Sequence, residues 1–174
     1  MEELRCYTFT DFMLSPIQQG IQSGHASMEL VSKYLLVTGW QNGYAETVAE
    51  WAQSHKTIVC LNGGAYADVC DWLTFFEMHE NPYPFAGFSE EAAQGGNLTS
   101  VAVILPARIF EGASLLRQAK YKDDVHVTWD HMQKELRLGW TVDDGTPLGE
   151  RRTETYSEWE RDLMNRLNGC QLAR

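Results

Sequence analysis

The sequence is poor in basic residues relative to acidic ones. It has 14 lysines and arginines against 24 aspartates and glutamates, which gives a net charge of −10. Residues 1–120 hold only six of the cations but thirteen of the acids. Because a protein gains affinity for nucleic acid by neutralising phosphates with Lys and Arg, this balance argues against a broad phosphate-binding face.

Closely spaced cysteines are also missing. The chain has Cys6, Cys60, Cys70 and Cys170, with no C-x-x-C pair and no spacing typical of metal ligands. No cation adjoins Cys60 or Cys70 to lower the pKa of its thiol. We therefore expect buried free thiols, and we expect no metal site, no cofactor and no nucleophilic cysteine.

Long apolar runs are missing as well. No run approaches the roughly 20 residues that a membrane-spanning helix needs, and Glu2 and Glu3 stand where a secretory signal would carry positive charge. We therefore expect a soluble cytoplasmic protein without a membrane partner. The 174 residues, 44% of them apolar, are enough for one folded domain with an extension.

The stretch that follows Ser15 carries the strongest helix signal. Ser15, Pro16 and Gln18 form a capping box with proline at the first helical position, which predicts a helix that runs to about Val37. Two rows recur at helical spacing along it. The apolar row contains Ile17, Ile21, Gly24, Met28, Val31 and Leu35, and the polar row contains Gln18, Gln22, His25 and Glu29. The polar row indicates either a hydrogen-bonded seam to a neighbouring strand or the wall of a site.

Strand-like and helix-like segments alternate through the first part of the chain. The strand composition is found at Arg5–Phe12, Lys56–Leu61, Phe85–Phe88 and Ser100–Leu105. Lys56–Leu61 is an apolar run typical of a strand that is buried on both faces. Helices are predicted between the strands, at Ala45–Gln53 and Ala67–His79 in addition to the first one. Strands joined by helices predict an α/β fold with a mostly parallel or mixed sheet.

The segment after Pro106 has a different pattern. A helix is predicted at Arg108–Ala119, and the strands that follow, Asp124–Trp129 and Lys134–Val142, predict an antiparallel hairpin. Ser157 and Glu160 form a second capping box, which predicts a final helix. We therefore expect an α/β domain over residues 1–120 and a hairpin with a helix over residues 121–174 that packs on the same domain.

Three motifs in this order resemble the type-2 peptidyl-tRNA hydrolase family over roughly residues 4–110. They are Gln22 with His25-Ala26 on the first helix, the turn and strand at Lys56–Leu61, and the Glu-rich loop before Leu98-Thr99-Ser100-Val101. The resemblance implies a small mixed four-stranded sheet flanked by helices, and a site that frees tRNA from stalled peptidyl-tRNA by ester hydrolysis. By the same resemblance, the candidate catalytic residues are Gln18, Gln22, His25, Glu91 and Thr99.

Two departures from the family bear on activity. Gln18 stands where the family carries its functional lysine, and Glu91 stands where the family has the aspartate of an Asp-Ala-Gly-Arg-Thr-Gln run, whose arginine is missing here. The ester sits on a polyanion, and its developing charge needs positive or donor groups around it. We therefore expect a binding or regulatory module with weak or no hydrolase activity, whose partner is a protein with a basic surface. Hydrolysis of peptidyl-tRNA or a related nucleotide-linked ester is the alternative.

A second pair of motifs offers another alternative. His55-x-Thr57 and His126-x-Thr128 resemble the two-histidine phosphoesterase superfamily, which implies a phosphodiesterase acting on a cyclic nucleotide. There each histidine acts as acid or base while each threonine helps to hold the phosphate oxygens, and both pairs must share one cleft. We expect that they do not share one. His55 precedes its strand at the amino-terminal edge of the sheet, and His126 belongs to the hairpin.

Overall fold

The computed structural model describes residues 2–37, 43–91, 95–121, 125–130, 135–141 and 147–172, and only the backbone of those among them that lie between 118 and 154. The chain divides into two compact units. The first unit comprises Met1–Ala107 with Cys170–Arg174, and the second unit comprises Arg108–Gly169. The domain boundary predicted at residue 120 falls within the second unit.

The first unit is built on a mixed sheet of four strands in the order β2-β1-β4-β3. The strands are β1 (Leu4–Thr10), β2 (Ile58–Asn62), β3 (Phe85–Glu90) and β4 (Asn97–Pro106). Strand β1 is parallel to β2 and antiparallel to β4, and β3 is antiparallel to β4. The prediction of an α/β fold with a mixed sheet is confirmed.

Three α-helices of the first unit join these strands. They are α1 (Pro16–Val31), α2 (Gly43–Glu50) and α3 (Tyr66–Phe76), and π-helical turns extend α1 over Ser32–Val37 and α2 over Trp51–His55. The predicted capping box at the start of α1 is confirmed. The Ser15 N–H donates to Gln18 Oε1 at 3.1 Å, and the Gln18 N–H donates to Ser15 Oγ at 3.4 Å.

Helix α1 packs a different face from the one its apolar periodicity suggests. The buried residues are Gln19, Gln22, Ser23, Ala26, Ser27 and Leu30. Ile17, Ile21 and Met28 of the apolar row are instead 78%, 49% and 65% exposed. Ser23, Ala26 and Ser27 on this face are small, so the helix lies close to the sheet. The two serine hydroxyls also make hydrogen bonds to side chains of β1.

The prediction that Lys56–Leu61 is a strand buried on both faces is wrong. Strand β2 lies at one edge of the four-stranded sheet, and Ile58 is 45% exposed. The open side of β2 contacts a segment from much later in the chain. The Asn62 N–H donates to the Gln171 carbonyl at 2.8 Å, and Leu61 forms an antiparallel bridge with Leu172.

The face of the sheet toward α3 holds an aromatic stack. Phe9 of β1 is fully buried, and its ring centroid lies 4.0 Å from that of Trp72 and 5.7 Å from that of Phe76. The face toward α1 holds smaller residues, including Cys6, Ala86 and Ala102. They belong to a buried cluster that also contains Leu30, Tyr34, Trp51 and Ile104, so the sheet carries apolar packing on both faces.

The second unit contains an antiparallel sheet of three strands in the order β5-β6-β7. Its elements are α4 (Ala107–Tyr121, the first residue of which belongs to the first unit), β5 (Val125–Asp130), β6 (Glu135–Thr141), β7 (Pro147–Thr155) and α5 (Glu158–Asn168). The predicted pairing of β5 with β6 is confirmed. The hairpin prediction missed β7, whose charged sequence lacks an apolar alternation. The capping box of Ser157 and Glu160 at α5 is confirmed.

Within the described ranges, no helix combines the length and the apolar character needed to cross a membrane.

Candidate functional site

Thr99 reaches α1 because β4 carries one extra residue at this point. Phe88 of β3 pairs with Ser100, whereas the next residue, Ser89, pairs with Leu98, so Thr99 has no counterpart on β3. A β-bulge of this kind bends the strand and redirects a side chain. The bulge turns Thr99 toward the face that Ser100 occupies, which is the face covered by α1.

Thr99, Gln22 and Glu90 form a chain of hydrogen bonds. Thr99 Oγ1 donates to Gln22 Oε1 at 2.8 Å and also lies 3.2 Å from the Phe88 carbonyl oxygen. Gln22 Nε2 donates to Glu90 Oε2 at 3.2 Å. The side chains of Gln22 and Thr99 are buried, with relative exposures of 7% and 1%. Both ends of the Gln22 amide are therefore engaged inside the first unit.

His25 lies one helical turn from Gln22, on the exposed surface of α1. Its ring centroid is 4.8 Å from that of Phe88, at an interplanar angle of 57°. Phe88 also supplies the carbonyl oxygen beside the Thr99 hydroxyl. Gln22, His25 and Thr99 are thus arranged around one residue of β3, although only His25 faces solvent.

Polar contacts continue along the buried face of α1. Thr8 Oγ1 and Ser23 Oγ are 2.6 Å apart, and Cys6 Sγ and Ser27 Oγ are 3.5 Å apart. We call these two pairs, together with the Gln22–Thr99 pair, the polar seam. Burial raises the pKa of the Cys6 thiol to about 12, so this cysteine stays protonated at neutral pH and is a poor nucleophile.

Two other candidates, Gln18 and Glu91, take no part in the hydrogen bonds between Gln22, Thr99 and Glu90. The exposed side chain of Gln18 is held in the capping box, where its Oε1 accepts from the N–H and the hydroxyl of Ser15. Glu91 is exposed and directly follows β3, and the loop residues 92–94 lie outside the described residues. The sequence prediction missed Glu90, the carboxylate that contacts Gln22. The period-two alternation of β3, which puts Glu90 on the same side as Phe88, is the signal that could have found it.

The two-histidine motifs lie in different units. His55 ends the π-helical turn after α2, and its Nε2 is 3.5 Å from Glu50 Oε1. The Thr57 hydroxyl donates to the His55 carbonyl at 3.4 Å, just ahead of β2. His126 and Thr128 belong to β5, where they pair with Gly139 and Arg137. The expectation that the two histidines do not share a cleft stays a prediction.

Histidine, cysteine, aspartate and glutamate side chains are the usual protein ligands of metal ions. In the part of the chain that the structure describes, no group of three or more His, Cys, Asp or Glu side chains could hold a metal ion. All four cysteines are free thiols, but the prediction that they are buried is wrong for Cys60, Cys70 and Cys170, which are partly exposed; only Cys6 is buried.

The Thr99 hydroxyl provides a test of how much the polar seam stabilises the first unit. Thr99→Val removes the donor to Gln22 while nearly keeping the side-chain shape, and leaves a buried amide oxygen without that donor. We expect the free energy of unfolding to fall by about 2 kcal/mol, measured by chemical denaturation. Thr74→Val is the matched control, because its hydroxyl donates to the Cys70 carbonyl on the exposed side of α3. An equal loss in both variants would contradict the prediction.

No protein-family model matches the sequence, and no curated protein matches it either. The resemblance to the type-2 peptidyl-tRNA hydrolases thus stays a prediction from the motifs of this chain.

Proposed function

We propose that the first unit is a divergent peptidyl-tRNA hydrolase type-2-like domain that binds a basic protein segment and has weak or no hydrolase activity. The motif order supports the family, and the mixed four-stranded sheet is the architecture that the family resemblance implies. Two features support a binding role. The Gln22 amide of the candidate site is engaged at both ends in hydrogen bonds within the protein, and a groove lies at the edge of the same sheet.

The single observation that carries this proposal is the engagement of the Gln22 amide. Its Nε2 donates to Glu90, and its Oε1 accepts a hydrogen bond from the Thr99 hydroxyl. Ester hydrolysis needs preorganised donors aimed at the developing oxyanion. Here both candidate donors, Gln22 Nε2 and the Thr99 hydroxyl, donate to acceptors within the protein. Gln18 is held in the capping box of α1, and the Glu90 carboxylate adds negative charge beside Gln22. This arrangement favours a structural use of these residues over stabilisation of a phosphate-linked ester.

A groove of about 260 Å³ runs along β3, between α1 and α3. Strand β3 lies at an edge of the four-stranded sheet. The groove is lined by residues of both helices and of β3 and β4, namely Glu29, Lys33, Leu73, Glu77, Phe85, Ala86, Gly87, Ser89 and Leu98. Its walls thus combine apolar side chains with three charged ones.

The backbone groups of Phe85 that face this groove are already bonded to side chains of the helical segment beside it. The Phe85 N–H donates to the Tyr34 hydroxyl at 3.4 Å, and the Phe85 carbonyl accepts from Lys33 Nζ at 3.0 Å. Both groups of Phe85 therefore point away from β4. Alternation in an antiparallel ladder directs the groups of Gly87 to the same side, and an added Cβ at Gly87 would meet Leu98 Cδ1 at 2.9 Å. An extended peptide that adds to this edge would therefore pair with the N–H and carbonyl of Gly87, while Leu98 and Leu73 crowd its Cα.

Charge favours a basic peptide as the occupant. Glu29 and Glu77 are exposed at the groove. Its one lysine, Lys33, lies over the Phe85 ring at 4.4 Å, and burial lowers the pKa of its ammonium group, against the opposing effect of Glu77 and Glu29. The net charge of −10 adds attraction at longer range.

The proposal is tested with an extended peptide of alternating lysine and valine and with peptidyl-tRNA as a substrate. We expect salt-dependent binding of the peptide to the full chain, measured by fluorescence anisotropy, and hydrolysis far below one turnover per second, the low end of roughly 1–1000 per second for typical enzymes. Glu77→Lys is expected to weaken peptide binding about fivefold, because it replaces an attraction with a repulsion and each exposed charge contact amounts to about 0.2–1 kcal/mol.

Asp71→Lys is the matched control, because Asp71 is an exposed acid of α3 outside the groove lining. An equal loss in Asp71→Lys would mean that only net charge matters and would contradict the groove assignment. Hydrolysis at typical enzyme rates that is abolished by Gln22→Ala or His25→Ala would contradict the non-catalytic role and support the hydrolase alternative.

A further inference from the structure

The exposed side of α1 carries a continuous apolar surface. Ile17, Ile21, Gly24 and Met28 follow one another at spacings of three and four residues, so they lie on one stripe of the helix, and Gly20 lies beside it. All three large side chains of this set are exposed. A methyl group added at Gly20 or at Gly24 would meet no atom within 4 Å. We call these five residues the α1 stripe.

The α1 stripe has no charged neighbours for a long stretch of sequence. Residues 12–28 contain no Asp, Glu, Lys or Arg, although the chain as a whole carries a net charge of −10. Two copies of so acidic a protein repel each other across most of their surface. At an uncharged surface a second copy can approach without this repulsion between like charges. The same surface offers no charge attraction to a basic protein or to a membrane.

The area of this surface fits a weak dimer. Phe12 and Met13, in the turn directly before α1, are 47% and 72% exposed. Counted with the three large residues of the stripe, they bring the exposed apolar surface to on the order of 500 Å² per copy, below the roughly 800 Å² per partner of a standard interface. The uncharged polar residues around them extend the area toward that size.

We propose that the α1 stripe is the interface of a homodimer, in which α1 of one copy packs on α1 of a second copy. A twofold axis brings the same patch of both copies together. Gly20 and Gly24 let the two helix backbones come close, while Ile17, Ile21 and Met28 pack on either side. This inference does not depend on the proposed function, because the groove beside β3 shares no residue with the stripe.

The test is the oligomeric state of the full chain by analytical ultracentrifugation over a range of concentrations. We expect a reversible dimer with a dissociation constant of roughly 1–50 μM. Ile17→Glu adds a like-charge pair at the interface, and we expect it to raise this constant at least 30-fold. Gly20→Leu is expected to weaken the dimer as well, although it raises the thermal stability of the monomer by improving helix propensity.

Met78→Glu is the matched control, since Met78 is also an exposed apolar residue, 49% exposed, and it follows α3. We expect it to leave the dissociation constant within twofold of the original. A chain that stays monomeric at 200 μM would overturn the proposal. So would a dimer that Ile17→Glu and Gly20→Leu leave intact, or one that Met78→Glu weakens equally.

Discussion

Phe9→Ala is expected to lower the free energy of unfolding of the first unit by about 4 kcal/mol, within the range for a large aromatic residue removed from a core. Phe9 is fully buried, and its ring stacks on Trp72 and packs against Phe76. Removing it leaves a cavity between β1 and α3 that these rigid rings cannot fill. Guanidinium denaturation followed by tryptophan fluorescence measures the change.

Met78→Ala provides the comparison for this prediction. Met78 is 49% exposed, so truncating it removes little buried surface, and we expect a change within about 0.5 kcal/mol. A loss of less than 1 kcal/mol for Phe9→Ala would mean that the aromatic stack rearranges around the cavity. That result would contradict the central place given to β1 and α3 in the core.

Arg108→Met is expected to destabilise the second unit by about 3 kcal/mol. Arg108 Nη2 donates to Glu160 Oε1 at 2.5 Å, and the Glu160 side chain is only 7% exposed. The other oxygen of Glu160 accepts from the Ser157 N–H at 2.7 Å at the start of α5. Methionine keeps much of the volume of arginine but leaves a buried carboxylate without its cation. Hydrogen exchange of the α5 amides measures the loss.

Arg161→Met is the control for the buried pair. Arg161 Nε lies 3.9 Å from Asp162 Oδ1, on the exposed side of the same helix. An exposed ion pair contributes little, typically about 0.2–1 kcal/mol, so α5 exchange should change only slightly. If the α5 amides exchange equally slowly in Arg108→Met and in the unchanged chain, the ion pair of Arg108 with Glu160 does not stabilise α5, and the prediction is wrong.

Local features of this fold could be predicted from the sequence. The capping boxes at Ser15 and Ser157 involve partners three residues apart, so their hydrogen bonds depend only on local geometry. The four strands of the first sheet could be found from their composition. The segment of β7 has too little apolar character for that method, and its pairing with β6 had to come from the structure.

Features that depend on contacts between distant segments could not be predicted. Periodicity identifies the apolar row of α1, but only the position of Thr8 and Cys6 on β1 shows why Ser23 and Ser27 are the buried side. The orientation of Thr99 likewise depends on a bulge in the pairing of β3 with β4. The contact of Glu90 with Gln22 is an exception, because the alternation of β3 places Glu90 on the side of Phe88 and could have indicated it.

The contact between β2 and the segment at residues 171–172 has a consequence for synthesis of the protein. Asn62 and Leu61 belong to an edge strand that is made early, but their partners Gln171 and Leu172 are made only after the whole of the second unit. While the ribosome translates residues 108–169, this edge of β2 lacks those partners, and an uncovered edge is a template for pairing with another chain. This part of the edge is therefore open to pairing with a neighbouring nascent chain until residues 171 and 172 have left the ribosome.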